Sequence, residues 1–440
     1  MGATRDLAQF AVETQHADIP AEVRHDALRD AINVIGVSVY SAKDPSLKHL
    51  TNMFAAEGSN PRASIWAAGV KTSLQNAALA NGYLSHLEDY DDTHFPTVLH
   101  PSAPTVPAAF AIAEERGLSG RELVTAVALG VEVSCRLCIA VHPWHYDEGW
   151  HITGTFGTFG GVVGAGRPLG LNVDQMVAAF GIGGAQAAGV REAFGSMTKP
   201  MHAGRAAQAG VNAALLAASG FTSAEAIIEG RRGYVAVASP DADLSRATND
   251  LGKHWEMRAN GLKPYACGVV SHASIDAAVA LRDGGKLDTD AIRAIDVDVH
   301  PLVRELMFRP EPRVGLEGKF SCQHAIAAGL LEGAAGPAQF SDAKVVDPKF
   351  AALRAKVTFI DTPAYEEEEA LMRITMADGS VLEKKIDHCT GSPHNPMSDE
   401  FLSSKFLALA TPTLGDSGAK ELLDKLWQLE DAPSLSHLGL

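Results

Sequence analysis

Between His86 and His100 the chain places four carboxylic acids and three histidines within fifteen positions, in the run His86-Leu87-Glu88-Asp89-Tyr90-Asp91-Asp92-Thr93-His94-Phe95-Pro96-Thr97-Val98-Leu99-His100. Carboxylates and imidazoles are common metal ligands and also common general acids and bases, so the run suits either metal ligation or proton transfer. A plainer use stands beside these. Asp91, Asp92 and Ser102 fall where one helix should stop and another start, and each could simply satisfy free backbone amides.

Three further stretches carry chemistry. His151, in Gly149-Trp150-His151-Ile152-Thr153-Gly154-Thr155-Phe156-Gly157, precedes a Gly/Thr-rich helix start whose free amides would attract an anionic group. No strand precedes these glycines or Gly181-Ile182-Gly183-Gly184, which argues against a dinucleotide loop at either place. Thr198-Lys199-Pro200-Met201-His202-Ala203-Gly204-Arg205 is a basic group in an acidic chain, suited to carboxylate recognition, although such side chains are mostly exposed. Lys263-Pro264-Tyr265-Ala266-Cys267-Gly268-Val269-Val270-Ser271-His272 falls where the sequence texture changes, and ligand recesses commonly form where domains meet.

The elements that must position these residues are helical up to about residue 260. Asp18 reads as an N-cap with Pro20 just inside, opening a helix to near Ser41 on the spacing of Val23, Ala27, Ala31 and Val34. Further Ala-rich helices are expected over 74–86, 103–116, 120–140, 174–189 and 204–219, with few strand signals between them. After about Gly261 the pattern changes. Residues 291–300 alternate as a half-buried strand, 371–386 read as a hairpin around Asp378-Gly379, and helices are expected at 271–283 and 322–332. Glu366 to Glu369 reads as a solvated turn, and Ser398-Asp399-Glu400 restarts a helix. The expected fold is mainly α: a helical domain of residues 1–260 with 397–440, and a smaller α/β domain of 261–396.

Composition narrows the partners. A chain of 440 residues with 46% hydrophobic and 20% charged content can bury a large core. Its formal charge of -16 repels nucleic acid and anionic membranes, so an anionic substrate needs a recess that concentrates the few cations. The N-terminal residues lack the apolar core of a signal peptide, and no apolar run approaches bilayer length, so a cytoplasmic location is expected. Cys135 and Cys138, two of five cysteines, lie in an apolar helical run and read as buried thiols.

Taken in order, Asp89-Tyr90-Asp91-Asp92-Thr93-His94, His100-Pro101-Ser102, Gly149-Trp150-His151, Thr198 to Gly204, Lys263-Pro264-Tyr265 and Gly318-Lys319-Phe320-Ser321 resemble the MmgE/PrpD family across almost the whole chain. The resemblance implies a large helical domain with a smaller α/β domain, a homodimer, a small polycarboxylate substrate, and no metal or organic cofactor. It implies a site of Asp89, Thr93, His100, His151, Lys199 and Lys263. His100, His151, Lys199 and Asp89 are then expected to be catalytic, and Thr93, Lys263, His202, His324 and Tyr146 to contact substrate.

The chain departs from the decarboxylase members in three places. Gly268 stands where they carry a histidine, His324 where they carry a tyrosine, and the Thr93 to His100 spacing is one residue longer. These departures count against cis-aconitate decarboxylation and leave the proton-transfer groups in place. The expected chemistry is abstraction of a proton α to a carboxylate by His151 as base, with His100 as acid or the two roles reversed, Asp89 orienting a histidine, Thr93 hydrogen-bonding a substrate carboxylate, and Lys199 and Lys263 stabilising the developing charge. Dehydratase, decarboxylase and epimerase outcomes all follow from that step, and His324 tilts the reading slightly toward a two-base epimerase. The competing readings are a non-catalytic binding protein and a metalloenzyme built on His94, His100 and the nearby aspartates.

Overall fold

The computed structural model describes residues 2–285 and 287–440. Its first part is a helical assembly in which Leu74–Leu87, Ser102–Arg116, Gly120–Ile139, Gly157–Leu169 and Thr198–Ala218 pack around an Ala- and Gly-rich core. Small side chains have a positional purpose here. A Cβ on Gly82 would lie 2.9 Å from the Gly204 Cα, and one on Gly204 would lie 2.4 Å from the Leu79 carbonyl. Backbones can approach this closely only where both residues lack a side chain, and the contact draws the end of the Leu74–Leu87 helix toward the start of Thr198–Ala218. Cys135 and Cys138 are buried free thiols within Gly120–Ile139.

Two helix starts differ from expectation. Asp18 does not cap the helix Ala21–Ser41; its carboxylate accepts from the Gln15 amide and closes a short 3-10 turn, and Pro20 occupies the cap position. The last long helix of this part begins at Thr198, six residues before the expected Gly204. Pro200 falls in its first turn, where a missing N–H costs no helical bond.

The second part holds a four-stranded sheet in the order Val357–Asp361, Ile292–Val299, Ala370–Met376, Val381–Ile386. Ile292–Val299 runs parallel to the first and antiparallel to the third. Ile295, Val297 and Val299 are buried from this central strand. The expected hairpin forms at Asp378-Gly379, where Gly379 takes φ 87°, a left-handed conformation that glycine adopts without strain. The helices His272–Asp283 and Cys322–Glu332 pack together beside the sheet. Ser398 Oγ then accepts from the Phe401 amide and caps Asp399–Trp427, which returns to pack on Ala21–Ser41.

Short strands were not legible in the helical part. Ala63–Ile65 pairs with Val70–Thr72, and Asp92–His94 pairs with Asn260–Leu262, placing Thr93 opposite Gly261. The second pairing matters for function because it lays the acidic run against the segment that carries Lys263. Glu366 to Glu369 is only partly solvated, since Glu367 to Glu369 are half-buried. Among the described residues no helix is long and apolar enough to cross a membrane.

Candidate active site

Asp89, His100, His151 and Lys199 come from the helical part and meet Lys263, Gly268, Met307 and Phe320 around one recess. Asp89 follows the Leu74–Leu87 helix and has φ 51°, a left-handed conformation that costs a non-glycine residue energy and is held where surrounding contacts over-determine it. Those contacts are two ammonium groups. Lys263 Nζ donates to Asp89 Oδ1 at 2.6 Å and to the Asp89 carbonyl at 3.1 Å, and Lys199 Nζ lies 3.0 Å from Asp89 Oδ2. Burial pushes the Asp89 carboxyl up, but the two lysines outweigh it and hold the group well below the usual carboxylate range.

The recess therefore carries two positive charges against one negative. Lys199 is 5% exposed and makes no well-angled hydrogen bond among the described residues, so its ammonium has donors to offer a ligand. This overturns the surface position that its residue type suggests. Burial lowers its pKa, with Asp89 opposing. Val98, Phe194, Leu306, Met307 and Phe320 make the rest of the wall largely apolar, a setting in which the uncompensated charge acts strongly.

The His100 ring has a defined tautomer. Its Nδ1 lies 2.8 Å from the Asp92 carbonyl oxygen, which can only accept, so Nδ1 carries the proton and Nε2 is the lone-pair nitrogen, 4.0 Å from Asp89 Oδ1. Burial, reinforced by Lys263, holds this imidazole well below its ordinary pKa, so it stays neutral with its Nε2 lone pair free. Thr93 Oγ1 is 3.3 Å from the same Nδ1, under the ring and outside the recess wall. His151 also faces the recess. Its Nδ1 lies 2.8 Å from His202 Nδ1, and its Nε2 is buried with no partner among the described residues. His202 thus touches His151 and does not line the recess, whereas Tyr146 lines it beneath the Arg191 guanidinium.

His324 is not brought to this site. Its Nε2 donates to the Gln339 carbonyl at 2.8 Å, its Nδ1 accepts from Arg354 at 3.1 Å, and Phe340 and Phe350 pack on its ring. With both nitrogens satisfied it is a structural group of the α/β part. His324→Leu is expected to leave kcat/KM within about threefold while lowering stability by about 1–3 kcal/mol, because Arg354 and Gln339 lose a buried partner. Steady-state kinetics beside a thermal melt separates the two effects.

His86 and Asp91 belong to the run that the sequence singled out, though not to the expected site residues, and Lys405 escaped the sequence reading. His86 pairs with Asp91 at 2.7 Å, and its ring stands between His100 and His151, with centroid separations of 4.6 and 5.6 Å. Burial raises the Asp91 carboxyl to about 7. Asp91 thus serves a proton-holding pair, while Asp92 does the capping, accepting from the Ser102 amide and hydroxyl. Lys405 is buried in the returning helix and donates to Asn33 Oδ1 and to the carbonyls of Tyr90 and Lys263, fixing both segments that hold the ion pair. It lies on the apolar stripe of Leu402, Phe406 and Leu409, and a charge on such a stripe is the signal that could have exposed it.

Donor atoms of His86, Asp89, Asp91 and His100 lie within 4.8 Å of one another, the usual gathering for a metal. The set fits one poorly. Asp89 already holds two ammonium ions that would repel a divalent cation, and His86 and Asp91 are engaged with each other. His94 is not part of the group, its Nδ1 being 2.8 Å from Thr97 Oγ1.

Comparison with known proteins agrees with this layout. Residues 5–247 match the MmgE/PrpD N-terminal domain and residues 265–429 match the MmgE/PrpD C-terminal domain. A cis-aconitate decarboxylase of Aspergillus terreus is 26% identical, with 99% of this chain and 95% of the relative aligned. Cis-aconitate decarboxylase of Homo sapiens is 28% identical over 86% of this chain and 82% of its own, and that of Mus musculus is 26% identical over 93% and 88%.

Proposed function

Because the chain belongs to the MmgE/PrpD family, we propose that it is a cofactor-independent lyase, a dehydratase or decarboxylase, that abstracts a proton α to a carboxylate of a small di- or tricarboxylic acid. The observation that carries this reading is the convergence of a neutral imidazole lone pair, His100 Nε2, with two buried ammonium groups on one carboxylate. A proton next to a carboxylate is weakly acidic. Its removal needs a base already free of its own proton and positive charge fixed where the enediolate forms, and these groups supply both.

In this scheme the substrate carboxylate takes up donors of Lys199 and Lys263, and His100 Nε2 receives the α-proton. Nδ1 keeps its own proton on the Asp92 carbonyl, which stabilises the imidazolium as it forms. His151, with His202 behind it, then serves as the acid. The outcome depends on what leaves: expulsion of a β-hydroxyl after the abstraction gives a dehydratase, whereas in a decarboxylase carbon dioxide leaves in place of the α-proton, its C–C electron pair remains as the carbanion that the two lysines stabilise, and the acid protonates that carbon. Gly268 bears on the choice. A Cβ there would lie 2.4 Å from Met307 Sδ, so Met307 fills the space into which a side chain at this position would project. A substrate group that binds a histidine at that point in the decarboxylases would meet a thioether here.

One observation favours a second reading, an epimerase of a dicarboxylate. His151 presents a partnerless buried Nε2 to the same recess as His100, and a proton removed by one could return from the other. The resemblance further implies a homodimer.

Proton NMR in deuterated buffer distinguishes these outcomes. The enzyme is incubated without added metal on 2-methylcitrate, citrate, cis-aconitate, iminodisuccinate and malate-type acids. Deuterium is expected to enter an α-position of at least one of them, and the product then identifies lyase or epimerase. Absence of both exchange and product across the set would overturn the proposed substrate class.

A further inference from the structure

Away from the recess, the Glu366 to Glu369 turn brings one carboxylate against two histidines of a distant loop. Glu368 Oε1 lies 2.9 Å from His388 Nδ1 and 2.6 Å from His394 Nδ1, and the two rings are 4.6 Å apart. The three donor atoms fall within 4.8 Å of one another. The Glu368 side chain is 11% exposed and its Oε2 is buried with no hydrogen-bond partner among the described residues, while the rings are 50% and 66% exposed. A buried carboxylate with an unsatisfied oxygen and two imidazoles facing it from the solvent side leaves acceptor capacity that the protein does not fill.

The loop is held in place before any ligand arrives. Gly391 N donates to the Asn395 carbonyl at 2.8 Å, Asn395 Nδ2 to the His388 carbonyl at 3.3 Å, and Thr390 N to Asp276 at 2.6 Å. Pro393 and Pro396 flank His394 and remove further freedom. The neighbouring charged groups include the acids Glu366, Glu369 and Asp387, and Lys385 is paired with Asp387 at 2.6 Å and Glu369 at 3.8 Å. This local field attracts a cation.

We propose that Glu368 Oε1, His388 Nδ1 and His394 Nδ1 bind one divalent transition-metal ion of the zinc class. Each imidazole would move its proton to the exposed Nε2 and offer Nδ1 as a lone-pair ligand, with no net release of protons. Tetrahedral bonds of about 2.0–2.1 Å put donors about 3.3 Å apart, so the two exposed rings need only a small outward shift. Imidazole ligands select zinc, copper or nickel over the hard ions magnesium and calcium. Three protein ligands leave the fourth position to solvent. The ion would tie the turn before Ala370–Met376 to the loop that leads into Asp399–Trp427.

The full chain, stripped with chelator, is titrated with zinc chloride by calorimetry at pH 7.5, beside His388→Ala/His394→Ala. The parent is expected to show one saturable event that the double variant lacks or makes at least about tenfold weaker. Zinc should also raise the melting temperature of the parent, and magnesium should not. His394→Ala alone, on the more exposed ring, gives the same comparison if the double variant folds poorly. Equal isotherms for parent and variants would overturn the site, including the case in which zinc binds both equally at the recess. Failure of the carboxylate exchange experiment would leave this result untouched.

Discussion

His100→Gln is expected to lower kcat by about 10²–10⁴-fold, the usual contribution of a positioned general base, and to abolish deuterium entry at the α-carbon. The fold should tolerate the change. The Gln amide can still donate toward the Asp92 carbonyl that now accepts from Nδ1, but it offers no basic nitrogen to the recess. Melting temperature and kinetics measured together separate a lost base from a lost fold. Turnover within about threefold of the parent, with exchange intact, would remove His100 from the mechanism and leave His151 as the base.

The pH profile sharpens this assignment. Burial and neighbouring ammonium groups lower both His100 and His151, so neither should produce an inflection in kcat/KM at the ordinary imidazole value near 6.5. A neutral His100 persists below that pH, and its own acid limb lies lower. Burial raises Asp91 to about 7 and its neighbour Asp92 to about 6, and of the two it is Asp91 that pairs with His86 beside the recess. An inflection near pH 7 in the parent belongs to the Asp91–His86 pair, and Asp91→Asn is expected to remove it. An unchanged inflection in that variant would place the titrating group elsewhere.

The sequence was legible where a period or a turn chemistry is local. The Ala21–Ser41 helix, the strand Ile292–Val299 and the Asp378-Gly379 hairpin all lie close to where their patterns place them, because each is fixed by residues a few positions apart. The three-residue strands were not, since Asp92–His94 and Asn260–Leu262 exist only by pairing with each other across more than half the helical part. The site divides the same way. The family resemblance implied Asp89, Thr93, His100, His151, Lys199 and Lys263, and all of these but Thr93 line one recess. His324 shows the limit of residue type alone: its chemistry suited the site, but Gln339 and Arg354 already occupy both its nitrogens. Lys405, distant in sequence, contributes through three buried acceptors that only the folded chain assembles.

The centre of the site is tested most severely by Asp89→Asn. The substitution is nearly isosteric, and asparagine accepts the left-handed conformation that this position demands, so the backbone is not what changes. What changes is that Lys199 and Lys263, 5% and 2% exposed, lose the one acid that either is paired with among the described residues. Breaking a buried ion pair by removing one partner costs about 3–5 kcal/mol, because a charge is left buried and uncompensated. The protein can reduce this cost by letting one lysine lose its proton, which lowers that lysine's pKa in the folded state relative to the unfolded chain. The unfolded chain then binds more protons, and the variant gains stability as pH rises, so its deficit in melting temperature should shrink between about pH 7 and 9. In the parent the sign is that of a depressed acid: the contribution of Asp89 is complete above its unfolded value of about 4 and is lost as pH falls through its lowered folded value. Deprotonation of a lysine also weakens the field on the enediolate, and kcat should fall by about 10²–10³-fold, comparable to removing one oxyanion donor. A variant that melts with the parent at every pH and turns over within about threefold of it would mean that Asp89 is not the counter-charge on which the two ammonium groups depend.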